Sequence, residues 1–383
     1  MRVLYTYEKE MPTVSMIRAS ALKQQETGKE EVRFRHIMDV TAQDIQWCDM
    51  LLCIRPDDPY TVHLARSAQR CGCYVAAYYD DDLYHLPSSL PHPRWRKRAI
   101  ANVLACADAV HSTSPHICEK YRPMTLGKRS MVSDSAVEPA EIKEIAPLDG
   151  AENGEKVKLV YAANPGHVGF FNRFLLPVMP QLAERCGARI SLTFMGVRPD
   201  LTAYEQQMEI HYIPGLPLDE YRRKIREGDY DIGLSPLTTD EFTKCKYFNK
   251  FIEYTMAGIV GVYSNTEPYT YVVKDGENGF LVGDDPQDWL ACLCRVIDDA
   301  ALRNRCICAA QQLLRTEFSV QRLEEKQAQY RQSWQKEKTG KCCAGLALPR
   351  LAYRAVRVMD KLYSLQFYLR QGGLSAVLEK VRP

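Results

Sequence analysis

Twice in this chain a series of short apolar runs, rich in Val, Ile and Tyr, alternates with longer stretches of helical periodicity. An open parallel sheet with crossover helices requires that alternation. The first series predicts strands over residues 3–7, 32–39, 50–54, 74–79, 109–112 and 130–132, with helices such as 60–70 and 94–106 between them. The second predicts strands over 157–162, 190–194, 210–213, 232–234, 259–263 and 280–282. Residues 139–156 are charged, punctuated by Pro and Gly, and aperiodic, and they read as a linker. The expectation is two doubly wound domains facing a cleft, 1–138 and 157–335, followed by a helical extension over 336–383. A length of 383 residues accommodates both cores.

Charge and composition remove several classes of function. Fifty Lys and Arg against 48 Asp and Glu leave a net +2, so no global field exists to hold nucleic acid and any anion site has to be local. No apolar run approaches the roughly 18 residues that span a bilayer, and the start MRVLYTYEKE is charged, so the chain reads as cytoplasmic rather than secreted or membrane-spanning. The 14 cysteines are spread from Cys48 to Cys343 and read as reduced thiols. The pairs Cys71/Cys73, Cys292/Cys294 and Cys306/Cys308 lack the C-x2-C spacing of zinc sites. No strand is followed by G-x-G-x-x-G and no G-x4-G-K-[ST] occurs, which removes the usual grounds for a nicotinamide enzyme or a P-loop protein.

Lys246, Lys250, Glu253 and Ala257 stand at i, i+4, i+7 and i+11, so they would share one face of a helix that Gly258 can cap. Two like charges four residues apart repel, and Glu253 offsets only part of that. An external anion would balance the face. Spacing alone leaves open a solvated stripe with one intrahelical ion pair.

The stretch DIGLSPL (231–237), KYFNKFIEYTMAG (246–258), PYTYVVKDGENGFLV (268–282) and the pair Asp288-Trp289 resembles the nucleotide-sugar-binding half of GT-B glycosyltransferases of family 4, of the bacterial surface-polysaccharide type. The resemblance implies a retaining transferase that needs no metal and no cofactor and takes a UDP- or GDP-sugar donor. By position it implies that Glu253 binds the ribose hydroxyls, and that Lys246 and Lys250 hold the diphosphate. It also implies that Gly166 and His167, in the turn ANPGHVGFF, approach the phosphates. The commonest pattern has a further Glu eight residues before the ribose Glu; here Cys245 stands in that place, which supports the alternative of a GT-B protein that binds sugar nucleotide or glycan without turnover.

In the first domain the run Asp80-Asp81-Asp82 ends a predicted strand. Read cold it suits a D-x-D metal site, an acceptor site or a solvated loop, and the resemblance favours acceptor binding or proton acceptance, with Asp81 as a catalytic candidate. Arg18, Arg55 and His111 are further candidates on the acceptor side, each read as following or ending a strand.

Residues 336–383 hold ten Lys and Arg against three Asp and Glu. Arg350, Arg354, Arg357 and Lys361 form a basic stripe beside Leu351, Ala355, Val358, Leu362, Leu365 and Leu369. Such a helix is able to lie in an anionic membrane surface over 346–369, and equally to pack on the protein with its charges in water. The first alternative suits a glycan or lipid-linked glycan acceptor at the inner face of the plasma membrane.

Overall fold

The computed structural model describes residues 1–26, 28, 30–86, 90–145, 156–332 and 350–381. They form two compact units, one of Met1–Asp134 with Lys326–Pro383, the other of Ser135–Glu325.

In the first unit, strands Arg2–Tyr7 (β1), Glu31–His36 (β2), Met50–Ile54 (β3), Tyr74–Tyr78 (β4), Ala109–Ser112 (β5) and Arg129–Val132 (β6) form one parallel sheet in the order β2-β1-β3-β4-β5-β6. Helices Pro12–Glu26 (α1), Ala42–Trp47 (α2), Pro59–Arg70 (α3), Arg94–Cys106 (α4) and Pro115–Tyr121 (α5) connect them. The central strands MLLCI and YVAAY are buried at every residue, as an apolar run between two helical layers must be. The expected strand over 32–39 stops at His36, whose Nδ1 accepts from the Met38 amide and starts a 3-10 turn.

The second unit repeats the plan. Strands Val157–Ala162 (β7), Ile190–Met195 (β8), Glu209–Ile213 (β9), Ile232–Ser235 (β10), Val260–Ser264 (β11) and Phe280–Val282 (β12) are parallel in the order β12-β11-β10-β7-β8-β9. Its helices are Val168–Phe174 (α6), Met179–Cys186 (α7), Leu218–Glu227 (α8), Asn249–Met256 (α9), Pro286–Asp298 (α10) and Ala300–Glu317 (α11). Phe171, Phe174, Phe194, Phe251 and Trp289 are each at most 1% exposed and fill its core. Strand order reverses between β7 and β10, and loops at such a switch point face outward beyond the carboxyl ends of the strands.

Three features depart from expectation. The described part of the supposed linker is packed, not open: Ile142 is 4% exposed, and the Lys143 amide donates to the Met256 carbonyl at 2.8 Å. Residues 146–155 lie outside the described residues. Among the described residues eleven cysteines are free thiols, whereas Cys71 is disulfide-bonded, against the reading of reduced thiols throughout. Finally, after Val320–Gln332 (α12), the helix Arg350–Val381 (α13) belongs to the first unit, and its backbone leaves helical geometry at Gly372 and Gly373. Residues 333–349 of the extension lie outside the described residues.

Candidate functional site

In the second unit each crossover helix begins at the carboxyl edge of the sheet, because it connects one parallel strand to the start of the next. The first turns of α8 and α9 therefore sit at the same edge as the loop after β7. Helix α9 is held there by Tyr254, whose hydroxyl donates to the Leu234 carbonyl at 3.1 Å. That ring lies where a β-carbon on Gly233 would meet it at 2.3 Å, so the glycine of DIGLSPL is what lets α9 press against β10. At the far end, Gly258 adopts φ 79° and donates to the Thr255 carbonyl while Ile259 donates to that of Tyr254, a Schellman cap.

The structure brings Lys250 and Glu253 together and adds a partner. Lys250 Nζ donates to Glu253 Oε2 at 2.7 Å and to the Tyr221 hydroxyl at 2.6 Å, and that hydroxyl donates to the same Oε2 at 2.8 Å. The Lys250 ammonium also lies 4.7 Å from the Tyr221 ring centroid, a cation–π contact. Burial first, and then the charge of Glu253, push the Tyr221 phenol well above its ordinary pKa, so it stays a neutral donor. A carboxylate has about four lone-pair sites and an ammonium three donors, so each keeps capacity for a ligand. Sequence reasoning missed Tyr221. It is a lone aromatic on the charged helix LDEYRRKIRE, 32 positions from Glu253, and no local spacing links the two.

Lys246 is not on the helix face, which corrects the reading of a continuous stripe. The Asp240 carboxylate accepts from the Phe242 and Thr243 amides and winds Thr243–Cys245 into a 3-10 turn, after which Lys246 is extended and α9 begins only at Asn249. Lys246 therefore lies on the approach to the start of α9, its ammonium 5.0 Å from the Phe242 ring centroid. Cys245 is fully buried, its thiol donating to the Glu241 carbonyl at 3.2 Å.

The loop after β7 carries Gly166 and His167 in a 3-10 turn, Pro165–His167. A β-carbon on Gly166 would meet nothing within 4 Å, so no protein atom requires the glycine and the space beside it is open. Tyr161 anchors the turn by donating to the His167 carbonyl at 2.8 Å.

In the first unit the three aspartates separate. Arg55, directly after β3 with φ 49°, donates to Asp80 Oδ1 at 2.5 Å and to Asp81 Oδ2 at 3.2 Å, and Thr13 donates to the other Asp80 oxygen at 2.5 Å. Burial raises the Asp80 carboxyl despite Arg55. Asp82 turns inward and is fully buried, accepting from Lys120 and from the Tyr121 hydroxyl, each at 2.6 Å. Burial alone would raise its pKa, but these bonds outweigh that and lower it. It caps the turn Leu83–His85, and its side chain is interior. Asp80 and Asp82 are held by different partners, Arg55 and Thr13 for the first, Lys120 and Tyr121 for the second.

Two other candidates are placed differently from expectation. Arg18 does not follow a strand; it sits on α1, donates to Glu10 at 2.6 Å and lies over the rings of Tyr7 and Phe34. His111 is 5% exposed at the end of β5, its Nε2 3.3 Å from the Tyr330 hydroxyl, and burial lowers its pKa to about 4. It is a neutral interior imidazole. The acidic cluster Glu8, Asp57 and Asp58, which sequence reasoning did not select, lies beside Arg96 and Arg357.

No family model matches the sequence, and no curated protein matches it. Solved structures do. Over 87% of this chain and 99% of the other, the sucrose-phosphate synthase of Thermosynechococcus elongatus superposes with a TM-score of 0.62 at 12% identity. Anabaena HepE in complex with UDP covers 87% of this chain and 100% of its own, with a TM-score of 0.61 and 12% identity. A glycosyltransferase of Rickettsia africae covers 86% and 98%, with a TM-score of 0.60 and 11% identity. The fold is GT-B. Two six-stranded parallel sheets with helices match these GT-B neighbours, and this chain carries a C-terminal helical segment as well.

Proposed function

We propose that this chain is a retaining, metal-independent glycosyltransferase of the family 4, surface-polysaccharide type, moving a sugar from a UDP- or GDP-sugar to a lipid-linked or growing glycan. The observation that carries the reading is the Lys250–Tyr221–Glu253 cluster at the carboxyl edge of the second sheet. The UDP and UDP-glucose complexes of HepE, a GT-B neighbour, support a nucleotide-sugar donor.

Glu253 would accept from vicinal ribose hydroxyls, oriented by Tyr221 from the neighbouring helix. Lys250 and Lys246 would face the diphosphate and stabilise the negative charge that grows on it as the sugar departs. The turn of Gly166 and His167 would approach the same phosphates. The departing diphosphate would help deprotonate the acceptor, and Asp81, with Asp80 and Arg55, would bind that acceptor in the first unit. A cytoplasmic enzyme held by its tail at the inner face of the plasma membrane suits such an acceptor.

Buried Cys245 in place of the usual Glu favours a second reading, a GT-B protein that binds sugar nucleotide or glycan without turnover. A panel of UDP- and GDP-sugars, assayed for hydrolysis and for transfer, separates the two. Acceptor-dependent release of nucleoside diphosphate supports the transferase; saturable binding with no release from any donor rejects it.

A further inference from the structure

On one face of the second sheet, toward the amino ends of its strands, the side chains are mostly polar. Register sets Lys158, Ser191 and Glu209 side by side across β7, β8 and β9, with Val160, Thr193 and His211 in the next row toward the carboxyl edge. A parallel sheet normally fills such rows with apolar residues and covers them with helices. Here β9 is the edge strand, Glu209 and His211 are exposed, and a groove of about 580 Å³ opens over this face. That volume falls within the roughly 300–1,000 Å³ of small-ligand sites.

One wall is built by the turn between α8 and β10. A β-carbon on Gly228 would meet the Tyr230 ring at 2.1 Å, so the glycine lets that ring fold back against the turn. Asp229 adopts φ 48°, a left-handed geometry that aspartate enters more readily than most residues, and it is ion-paired with Lys143. Asp231 ties the turn to β7: its amide donates to the Lys158 carbonyl and its carboxylate accepts from the Lys158 amide, each at 2.8 Å. The Tyr230 ring lines the groove, its phenol beside the Thr193 hydroxyl. On β9, Glu209 accepts from Lys156 at 2.9 Å and lies 2.8 Å from His211 Nε2. The Lys158 ammonium and the Ser191 hydroxyl make no hydrogen bond or ion pair among the described residues, so both have capacity for a ligand.

We infer that this groove is a carbohydrate site that holds a short stretch of acidic glycan apart from the place of transfer. A saccharide presents hydroxyls in several directions together with apolar ring faces. Hydroxyl, imidazole and carboxylate groups meet the first, and a tyrosine ring meets the second. Lys156 and Lys158 outnumber Glu209 in the lining, and that surplus selects a sugar that carries a carboxylate. From Lys158 to Ala162 the strand runs about 13 Å, which sets the groove back from the carboxyl edge where Lys250 and Glu253 sit. The inference rests on the reading of the chain as a glycan-building transferase and adds a second hold on the growing glycan.

Calorimetric titration of the full chain with trigalacturonate, and with uncharged maltotriose, tests this. Wild type binds trigalacturonate about tenfold or more tighter than maltotriose. K158Q/H211A, at one half-buried and one exposed position, loses about tenfold or more of that affinity, as removal of a charge-assisted bond should, with UDP affinity and circular dichroism unchanged. Absence of trigalacturonate binding overturns the site, as does binding that K158Q/H211A leaves unchanged. Equal affinity for the two sugars overturns the selection for acid. Trigalacturonate binding that K158Q/H211A weakens, in a chain that releases no nucleotide from any donor, upholds the site and removes the transferase reading.

Discussion

The Lys250 ammonium lies 2.7 Å from Oε2 of Glu253, one helical turn away, and both groups meet the hydroxyl of Tyr221 from a second helix. An i, i+3 ion pair on a bare helix is a weak, mobile contact worth about 0.2–0.5 kcal/mol. A third group from another element fixes both side chains before any ligand arrives, and a preorganised pair loses less entropy on binding.

Tyr221→Phe keeps the ring and removes that hydroxyl. Hydrogen bonds to charged groups contribute about 1.5–3 kcal/mol when buried, and part of that at this site, where the Lys250 and Glu253 side chains are 23% and 24% exposed. We expect about a tenfold loss of nucleoside diphosphate affinity by calorimetry, with circular dichroism unchanged. Unaltered affinity would show that the phenol does not orient the site.

Gly233→Ala drives a methyl into the Tyr254 ring. Overpacking of this kind costs about 1–3 kcal/mol, and here it displaces the helix that carries Lys250 and Glu253. Both the denaturation midpoint and donor affinity should fall, and adding Tyr254→Ala should restore part of the stability.

Most of this architecture was legible. Strands of both units announce themselves as short apolar runs, and four of the twelve described strands match their expected bounds at both ends, 50–54, 109–112, 157–162 and 280–282. The Lys250 and Glu253 spacing was equally local. Lys246 was misplaced because Asp240 winds a turn that periodicity does not register. Arg18 reads as following a strand and instead lies on α1; Pro12–Glu26 has little amphipathic contrast to mark it as a helix. Asp82 and Asp80 are identical in sequence, and only the distant Lys120, Tyr121 and Arg55 separate their surroundings. Tyr221 and the acidic cluster beside Arg96 are likewise long-range, invisible to any window of sequence.

Cys245→Glu would introduce the residue that the resemblance to family 4 implies at that place. Its side chain is fully buried, and an unpaired carboxylate there costs on the order of several kcal/mol. We expect a large drop in thermal midpoint and no gain in turnover, whereas Cys245→Ala should be mild. A stable, more active Cys245→Glu would mean that the pocket opens to the donor.

Buried His111 adds an acid-sensitive contribution to the stability of the first unit. Burial lowers its pKa from 6.5 to about 4, so between those values the unfolded chain binds a proton that the native state excludes. Its contribution is complete above about pH 6.5 and is lost as pH falls toward 4, amounting to about 3 kcal/mol at 1.36 kcal/mol per unit. Asp58 has the opposite sign: burial raises it to about 7, so its contribution is lost as pH rises from about 4 to 7. Asp58 offsets much of the His111 loss over the same range, so His111→Phe should shift the balance toward stability at pH 4.5 relative to wild type. Urea midpoints of both proteins at pH 4.5 and 7 measure it, and the same difference between the two pH values in both proteins would exclude His111 as a source of acid sensitivity.

The donor site itself is tested most directly by titrating wild type and Lys250→Ala with UDP and with UMP, or with GDP and GMP if guanine is preferred. Losing one charge-assisted contact should weaken the diphosphate by about tenfold or more and the monophosphate by less than about twofold. Equal losses for the two nucleotides would contradict the placement of Lys250 at the β-phosphate, and with it the reading of this edge as the place where a sugar nucleotide is held.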